Sequence, residues 1–480
     1  MDLASTFSII TPASPEIFLV ISALTLLMAG LFMSTNSLKI ISYSTIIILL
    51  LTAILVIQSE NTLAFQGLFI SDNFARFIKI IIILGAVFSI LISFEHLKRS
   101  ENNLFEYPLL ILFTTLGMML MTSANDLILL YMSVELQSIA LYVIATIQRN
   151  TLKSTEAGLK YFVLGALSSG ILLYGCSIIY GFTGTTSFNG IATFLSTNRS
   201  TSPGLIIGLI FLISGLAFKV SIAPFHMWTP DVYEGVPTPV TALFALAPKV
   251  AALALFLRVM IDPFRDLLIS WQPIIAFLSI VSVLIGGLAA IMQTNIKRLM
   301  AYSSIAHMGY SLIGLASGNE TGVTSVLMYL TTYTFTIIGT FSGILCMRRN
   351  DSPVENISDL TGLSDTHPIM ALALMIFMLS MSGIPPLAGF FGKWFIFMSA
   401  IDADLYLLAA IGILSTVISA FYYLRIIKIM YFEEAIEPLD AIIDKKSQLA
   451  LCGSAMIIVF FFLFIKPIHN TAMSSSIIGI

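Results

Sequence analysis

The sequence predicts an all-α, polytopic membrane protein of about fourteen transmembrane helices. Hydrophobic residues make up 58% of its 480 residues and charged residues only 10%, where a soluble domain carries roughly 25% charged. Apolar runs recur at a length of about 20 residues, which a helix needs to cross the hydrocarbon core and which is about twice that of a barrel strand. Lysine and arginine then alternate between the two sides of the spans so derived.

In chain order the expected spans are 15–33, 40–57, 74–94, 107–123, 126–148, 156–182, 203–222, 238–260, 271–292, 301–317, 321–346, 368–400, 404–430 and 447–466. The first follows Thr11, Pro12 and Glu16 without a basic stretch, so it reads as a retained span rather than a signal peptide. With both termini outside, the inner loops hold Lys39, Lys98, Arg99, Arg149, Lys153, Lys297, Arg298 and Arg425 among others. The outer side holds only Arg76, Lys79, Arg199, Arg258, Arg265 and Lys466. Residues 1–480 are therefore expected to form a single integral membrane domain. The stretch GFTGTTSFNGIATF within 183–202 reads as a turn-rich outer loop, 347–367 as a second polar loop and 431–446 as a charged inner one. A net charge of −3 leaves no basic face for nucleic acid. Cys176, Cys346 and Cys452 are far apart and form no C-x-x-C, which argues against disulfides, zinc and iron–sulfur ligation.

Two spans are interrupted. The seventh, SGLAFKVSIAPFHMW, carries Lys219 ahead of Pro224, and Pro237 and Pro239 open the next apolar span, with Lys249 near its middle. The twelfth, MSGIPPLAGFFGKW, has Pro385 and Pro386 at the break and Lys393 after it. A proline inside a membrane helix removes a donor and frees carbonyls, and irregular backbone survives at that depth only inside protein or beside water. Paired interrupted helices point to a transporter built from repeats. Spans 4–8 (residues 107–260) and 9–13 (residues 271–430) form two five-helix repeats of opposite topology with the breaks in corresponding places.

The intramembrane charges are Glu135, Lys160, Lys219, Lys249 and Lys393, with Glu106 at the mouth of the fourth span. Each lysine costs roughly 2.5–3.5 kcal/mol at the bilayer centre, so intramembrane charges default to function. For one pair, such as Glu135 with Lys219, the bland alternative is a structural ion pair. One acid cannot neutralise four bases, however. Desolvation and mutual repulsion then bring neutral amines within reach, and a lysine that switches charge state is a proton carrier. His226, beside the first break, can pass a proton between Lys219 and Lys249, or serve as a satisfied core histidine. His307, in SSIAHMGYSLIG, can link the relay towards Lys393 with Tyr302 and water, or form a helix–helix hydrogen bond. Trp228, Trp271 and Trp394 read as packing or interfacial anchors.

At KVSIAPFHMWTPDVYEGVPTPVTALFALAPKVA, LMAYSSIAHMGY and MSGIPPLAGFFGKW the sequence resembles the antiporter-like membrane subunits of respiratory complex I, the proton-pumping NADH:quinone oxidoreductase. The resemblance covers essentially all fourteen spans. It implies a Glu135–Lys219 pair, a central Lys249 and a terminal Lys393, with Lys160 and His226 on the relay and Glu106 as an acid nearer the inner surface. The opening SPEIFLVISAL, the lysine rather than glutamate at 393 and the short C-terminus resemble the type nearest the quinone-binding part of the membrane arm. The resemblance further implies no cofactor in this chain, with flavin, iron–sulfur clusters and quinone in partner subunits. The implied partners are an M-type antiporter-like subunit, small K- and J-type subunits and the lipid bilayer, and the implied site is a bacterial inner membrane.

Two other functions compete. A sodium/proton antiporter would share the broken helices, but sodium needs clustered oxygen ligands and these groups are mostly lysines. A haem- or quinone-bearing enzyme would need paired histidines on facing helices, whereas His226 and His307 are single and lie beside lysines. No glycine-rich nucleotide fingerprint is present.

Overall fold

The computed structural model describes residues 11–33, 37–99, 104–197, 202–350, 352–434, 437, 439–440 and 444–476. Arg199, counted above among the outer charges, lies outside the described residues, as does part of the 431–446 loop. In chain order the helices are α1 (Ser14–Phe32), α2 (Ser37–Gln58), α3 (Asn73–Arg99), α4 (Glu106–Thr122), α5 (Leu127–Ala145), α6 (Leu152–Thr183), α7 (Phe188–Thr197), α8 (Pro203–Val220), α9 (Trp228–Gly235) and α10 (Thr238–Ala245). They continue as α11 (Ala247–Ile261), α12 (Leu268–Ile291), α13 (Ile296–Ala316), α14 (Glu320–Cys346), α15 (Leu363–Thr366), α16 (Pro368–Ser382), α17 (Ala388–Asp402), α18 (Tyr406–Phe432), α19 (Lys445–Val459) and α20 (Ile465–Ser474). Two antiparallel hairpins, Thr62–Ala64 with Phe69–Ser71 and Arg348–Arg349 with Ser352–Pro353, and short 3-10 turns lie between them.

Among the described residues ten helical spans are long and apolar enough to cross a membrane. The remaining expected spans hold α4, α13, the α16–α17 pair and α19, which are shorter or more polar. Every one of the fourteen expected spans thus coincides with a helix or a broken helix pair. Residues 183–202 differ from the turn-rich loop expected: they contain α7, whose Phe188, Ile191 and Leu195 recur on one face and are buried.

The chain divides into two compact units. In the first, comprising residues 1–220, 247–272 and 474–480, α11 is the core: Ala247 through Met260 are all buried against α3, α4 and α8. Around it α4 pairs with α5, and α6 runs along α8. Asp126 starts α5 by accepting the Ile128 amide at 2.7 Å, and Gly184 ends α6 in the left-handed region at φ 71°. In the second unit, residues 221–246 and 273–473, α14 is central and packs on α13, α16, α17 and α19. Asn295 and Asn319 cap α13 and α14 with their side chains.

Three interruptions punctuate these helices. After α8 the backbone turns at Ser221, held at φ 68°, and passes through residues 222–227 before α9 begins. After α16 it turns at Gly383, φ 86°, and α17 begins at Ala388. Both breaks fall where Pro224 and Pro385–Pro386 predict them. The third was not expected: the 238–260 span breaks at Leu246, with φ −113° and ψ −88°, so Lys249 sits in the first turn of α11 rather than at mid-helix. The cause is Pro248, whose ring clashes with the carbonyl four residues back and supplies no N–H to it.

Candidate functional site

Glu135 lies on α5 and Ser138 one turn further along the same face. The Lys219 ammonium, at the last turn of α8, donates to Ser138 Oγ at 2.7 Å and to Ser169 Oγ of α6 at 3.3 Å, with the Tyr142 ring 5.9 Å away. Direct pairing of Glu135 with Lys219 is not what the structure holds: no carboxylate lies within ion-pair distance of Lys219 among the described residues. Glu135 Oε1 is buried without a hydrogen-bond partner. The ammonium thus reaches the helix that carries the acid but rests on a neutral hydroxyl of it.

Lys249 is 1% exposed, at the start of the fully buried α11. Lys160 lies on α6. Its side chain is 43% exposed and pairs with Glu156 at 2.8 Å, one turn earlier on α6. Glu106 is exposed and is the first residue of α4, which puts its charge beside the unsatisfied amides of a helix N-terminus.

In the second unit Lys393 is 4% exposed. Its ammonium donates to the Met381 carbonyl at 2.8 Å and the Ser382 carbonyl at 3.4 Å, which the helix break frees at the end of α16. A cation at a helix C-terminus also meets the negative end of the macrodipole. His226 lies half-buried in the turn between α8 and α9, its Nδ1 buried without a partner. His307, on α13, is buried between two phenols: Nδ1 meets the Tyr329 hydroxyl of α14 and Nε2 the Tyr423 hydroxyl of α18 at 3.1 Å. A neutral imidazole satisfies this arrangement by donating from one nitrogen and accepting at the other. Tyr423 continues to Ser303, so the histidine both ties helices together and sits in a hydroxyl chain.

Among the described residues the remaining buried cations have carboxylate partners. Arg258, wholly buried, makes a bidentate pair with Asp72 at 2.9 Å and donates from Nε to the Thr122 carbonyl. Lys79 pairs with Glu16 at 2.6 Å, both about 4% exposed. Lys297 pairs with Glu355 at 2.6 Å, and Arg298 with Asp231 and Glu234. Sequence reading placed Lys79 and Arg258 among the outer-side charges and missed their burial. It also missed Ser138, although the hydroxyl stands three residues from Glu135 and so on its face of α5.

A family model described as NADH:quinone oxidoreductase/Mrp antiporter, TM, matches residues 124–419. The chain is 56% identical over 472 residues to NADH-quinone oxidoreductase subunit N of Rhodospirillum rubrum, covering 98% of this chain and 97% of the relative. It superposes on a chain of respiratory complex I from Thermus thermophilus with a TM-score of 0.82 at 30% identity, covering 96% of this chain and 99% of that one. A chain of the Mrp complex from Dietzia sp. DQ12-45-1b shares the fold, with a TM-score of 0.81 at 20% identity over 96% of this chain and 97% of that one.

Proposed function

The chain belongs to the NADH:quinone oxidoreductase/Mrp antiporter family, as an antiporter-like membrane subunit of the N type, and from that premise we propose that it carries protons through its own side chains. In this reading Glu135, Lys219, Lys249 and Lys393 exchange protons, with His226, His307, Lys160 and water as intermediaries and Glu106 at the inner mouth. NADH oxidation and quinone reduction, with their flavin, iron–sulfur clusters and quinone, belong to partner subunits. An M-type antiporter-like subunit and small K- and J-type subunits are the neighbours, in a bacterial inner membrane. The two interrupted spans are counterparts in five-helix repeats over 107–260 and 271–430.

One observation carries the reading. At both helix breaks the lysine ammonium is held by neutral oxygens: hydroxyls for Lys219, main-chain carbonyls for Lys393. Lys79, Arg258 and Lys297, by contrast, rest on carboxylates. Removing a proton from a paired lysine would strand a buried anion, at about 3–5 kcal/mol. Removing it from Lys219 or Lys393 strands no anion in contact, which supports reversible exchange.

The test is NADH-driven acidification of inside-out vesicles containing the whole complex, in media with and without sodium. Proton carriage predicts the same gradient in both. A gradient that collapses without sodium would instead favour cation/proton antiport.

A further inference from the structure

The carbonyls of Met381 and Ser382 account for one side of the Lys393 ammonium. The other is closed by an aromatic face: Nζ stands 4.7 Å from the centroid of the Tyr310 ring. That is inside the range in which a ring quadrupole attracts a cation, and a neutral amine gains almost nothing from it. We infer that the Tyr310 ring is a positioning residue for Lys393, holding its ammonium at the break with the π face, while the phenol hydroxyl serves to orient the ring. This rests on the reading of Lys393 as a proton carrier.

The surroundings of Tyr310 fix its ring. Its hydroxyl accepts from Ser415 Oγ at 2.9 Å and lies 3.5 Å from Ser419 Oγ, both on α18. Phe397 meets the ring edge-on at 90° and His307 at 78°. Phe397 stands four residues after Lys393, so both project from one face of α17 and Tyr310 touches two successive turns. The ring is fully buried, which removes the water that would otherwise weaken the attraction. Gly383 leaves the space this needs, since a Cβ there would come within 3.1 Å of Lys393 Cδ. The consequence is an ammonium held by three neutral groups: two dipoles and a quadrupole. Each favours the charged lysine, and none can take its proton permanently.

The experiment keeps the assembled complex and replaces only the ring at 310. Lys393→Met comes first and should abolish most proton uptake; if it does not, the parent reading of Lys393 fails whatever Tyr310 does. Tyr310→Phe keeps the π face and should pump within about twofold of wild type. Tyr310→Leu should lower uptake per quinone reduced about thirtyfold, the size of a desolvated cation–π contact. Phenylalanines bearing one, two and three fluorines, introduced at 310, keep the ring's shape and withdraw electron density from its face. They should lower uptake in graded order, and they decide the matter even if the leucine variant fails to assemble on a native gel. A flat response across the fluorine series, or a Phe variant as poor as the Leu variant, would overturn the inference.

Discussion

Replacing Asp72 with alanine should destabilise the first unit by about 4–6 kcal/mol, because the change strands the charge on Arg258. Arg258 is 0% exposed, and its two terminal nitrogens each meet an Asp72 oxygen at 2.9 Å. Taking one partner from a buried pair costs about 3–5 kcal/mol. Asp72 Oδ1 also accepts the Ala75 amide at 2.7 Å at the start of α3, a cap worth about 1 kcal/mol. Asp262, just past α11, tempers the loss: burial pushes its carboxyl up and the Arg258 guanidinium draws it back down, so it can take over part of the pairing. Asp72→Asn keeps the cap and should lose about 1 kcal/mol less. The double variant Asp72→Leu/Arg258→Met should lose only about the 1 kcal/mol of the cap, since an apolar pair of similar volume replaces a buried ion pair at little net cost. The assay is graded denaturation of the assembled complex in mild detergent, read by native gel, with all four members of the cycle measured together. A double variant as unstable as the sum of the singles would refute the reasoning, because the two residues would then act independently.

Gly383→Ala puts a side chain at φ 86° and 3.1 Å from Lys393 Cδ, so it should cost about 1–2 kcal/mol of strain and lower proton uptake while quinone reduction continues; unchanged uptake would count against the cradle. Glu135→Gln should lower uptake on the order of tenfold, the weight of about 1.4 kcal/mol of charge interaction, and Glu135→Asp should lose less; both are read in vesicles after assembly is checked. Lys249→Arg keeps a charge that titrates far too high to release a proton, so it should assemble normally and pump poorly. Wild-type pumping by that variant would make Lys249 a structural charge.

Much of this fold was legible because a bilayer leaves few choices. Apolar runs of helix length, the charge alternation around them and the prolines at 224, 385 and 386 were enough to place every span and two breaks. The third break was hidden because Pro248 falls in a stretch that is otherwise uniformly apolar, and a proline in the first turn of a new helix looks the same in sequence as a kink in an old one. The acids and bases of the site were legible as expensive residues, but their partners were not. Ser169, Tyr310 and the Met381 carbonyl reach their lysines from other helices, and no spacing in the sequence encodes that. Lys160 is the exception: its partner Glu156, one turn away, was readable as an i,i+4 pair. Arg258 and Lys79 were counted on the outer side by the charge alternation, which says nothing of burial, and only the packing of α11 and α3 revealed Asp72 and Glu16 beside them.

The most direct measurement is the number of protons taken up per quinone reduced in inside-out vesicles, compared between wild type and Lys219→Met in the assembled complex. The methionine fills much of the lysine's volume and leaves Ser138 and Ser169 to bond elsewhere, so assembly and quinone reduction at low gradient should survive. If the lysine at the break carries protons, that number falls. If Lys219→Met retains the wild-type number, the ammonium held by two serines is a structural feature and the protons take another route.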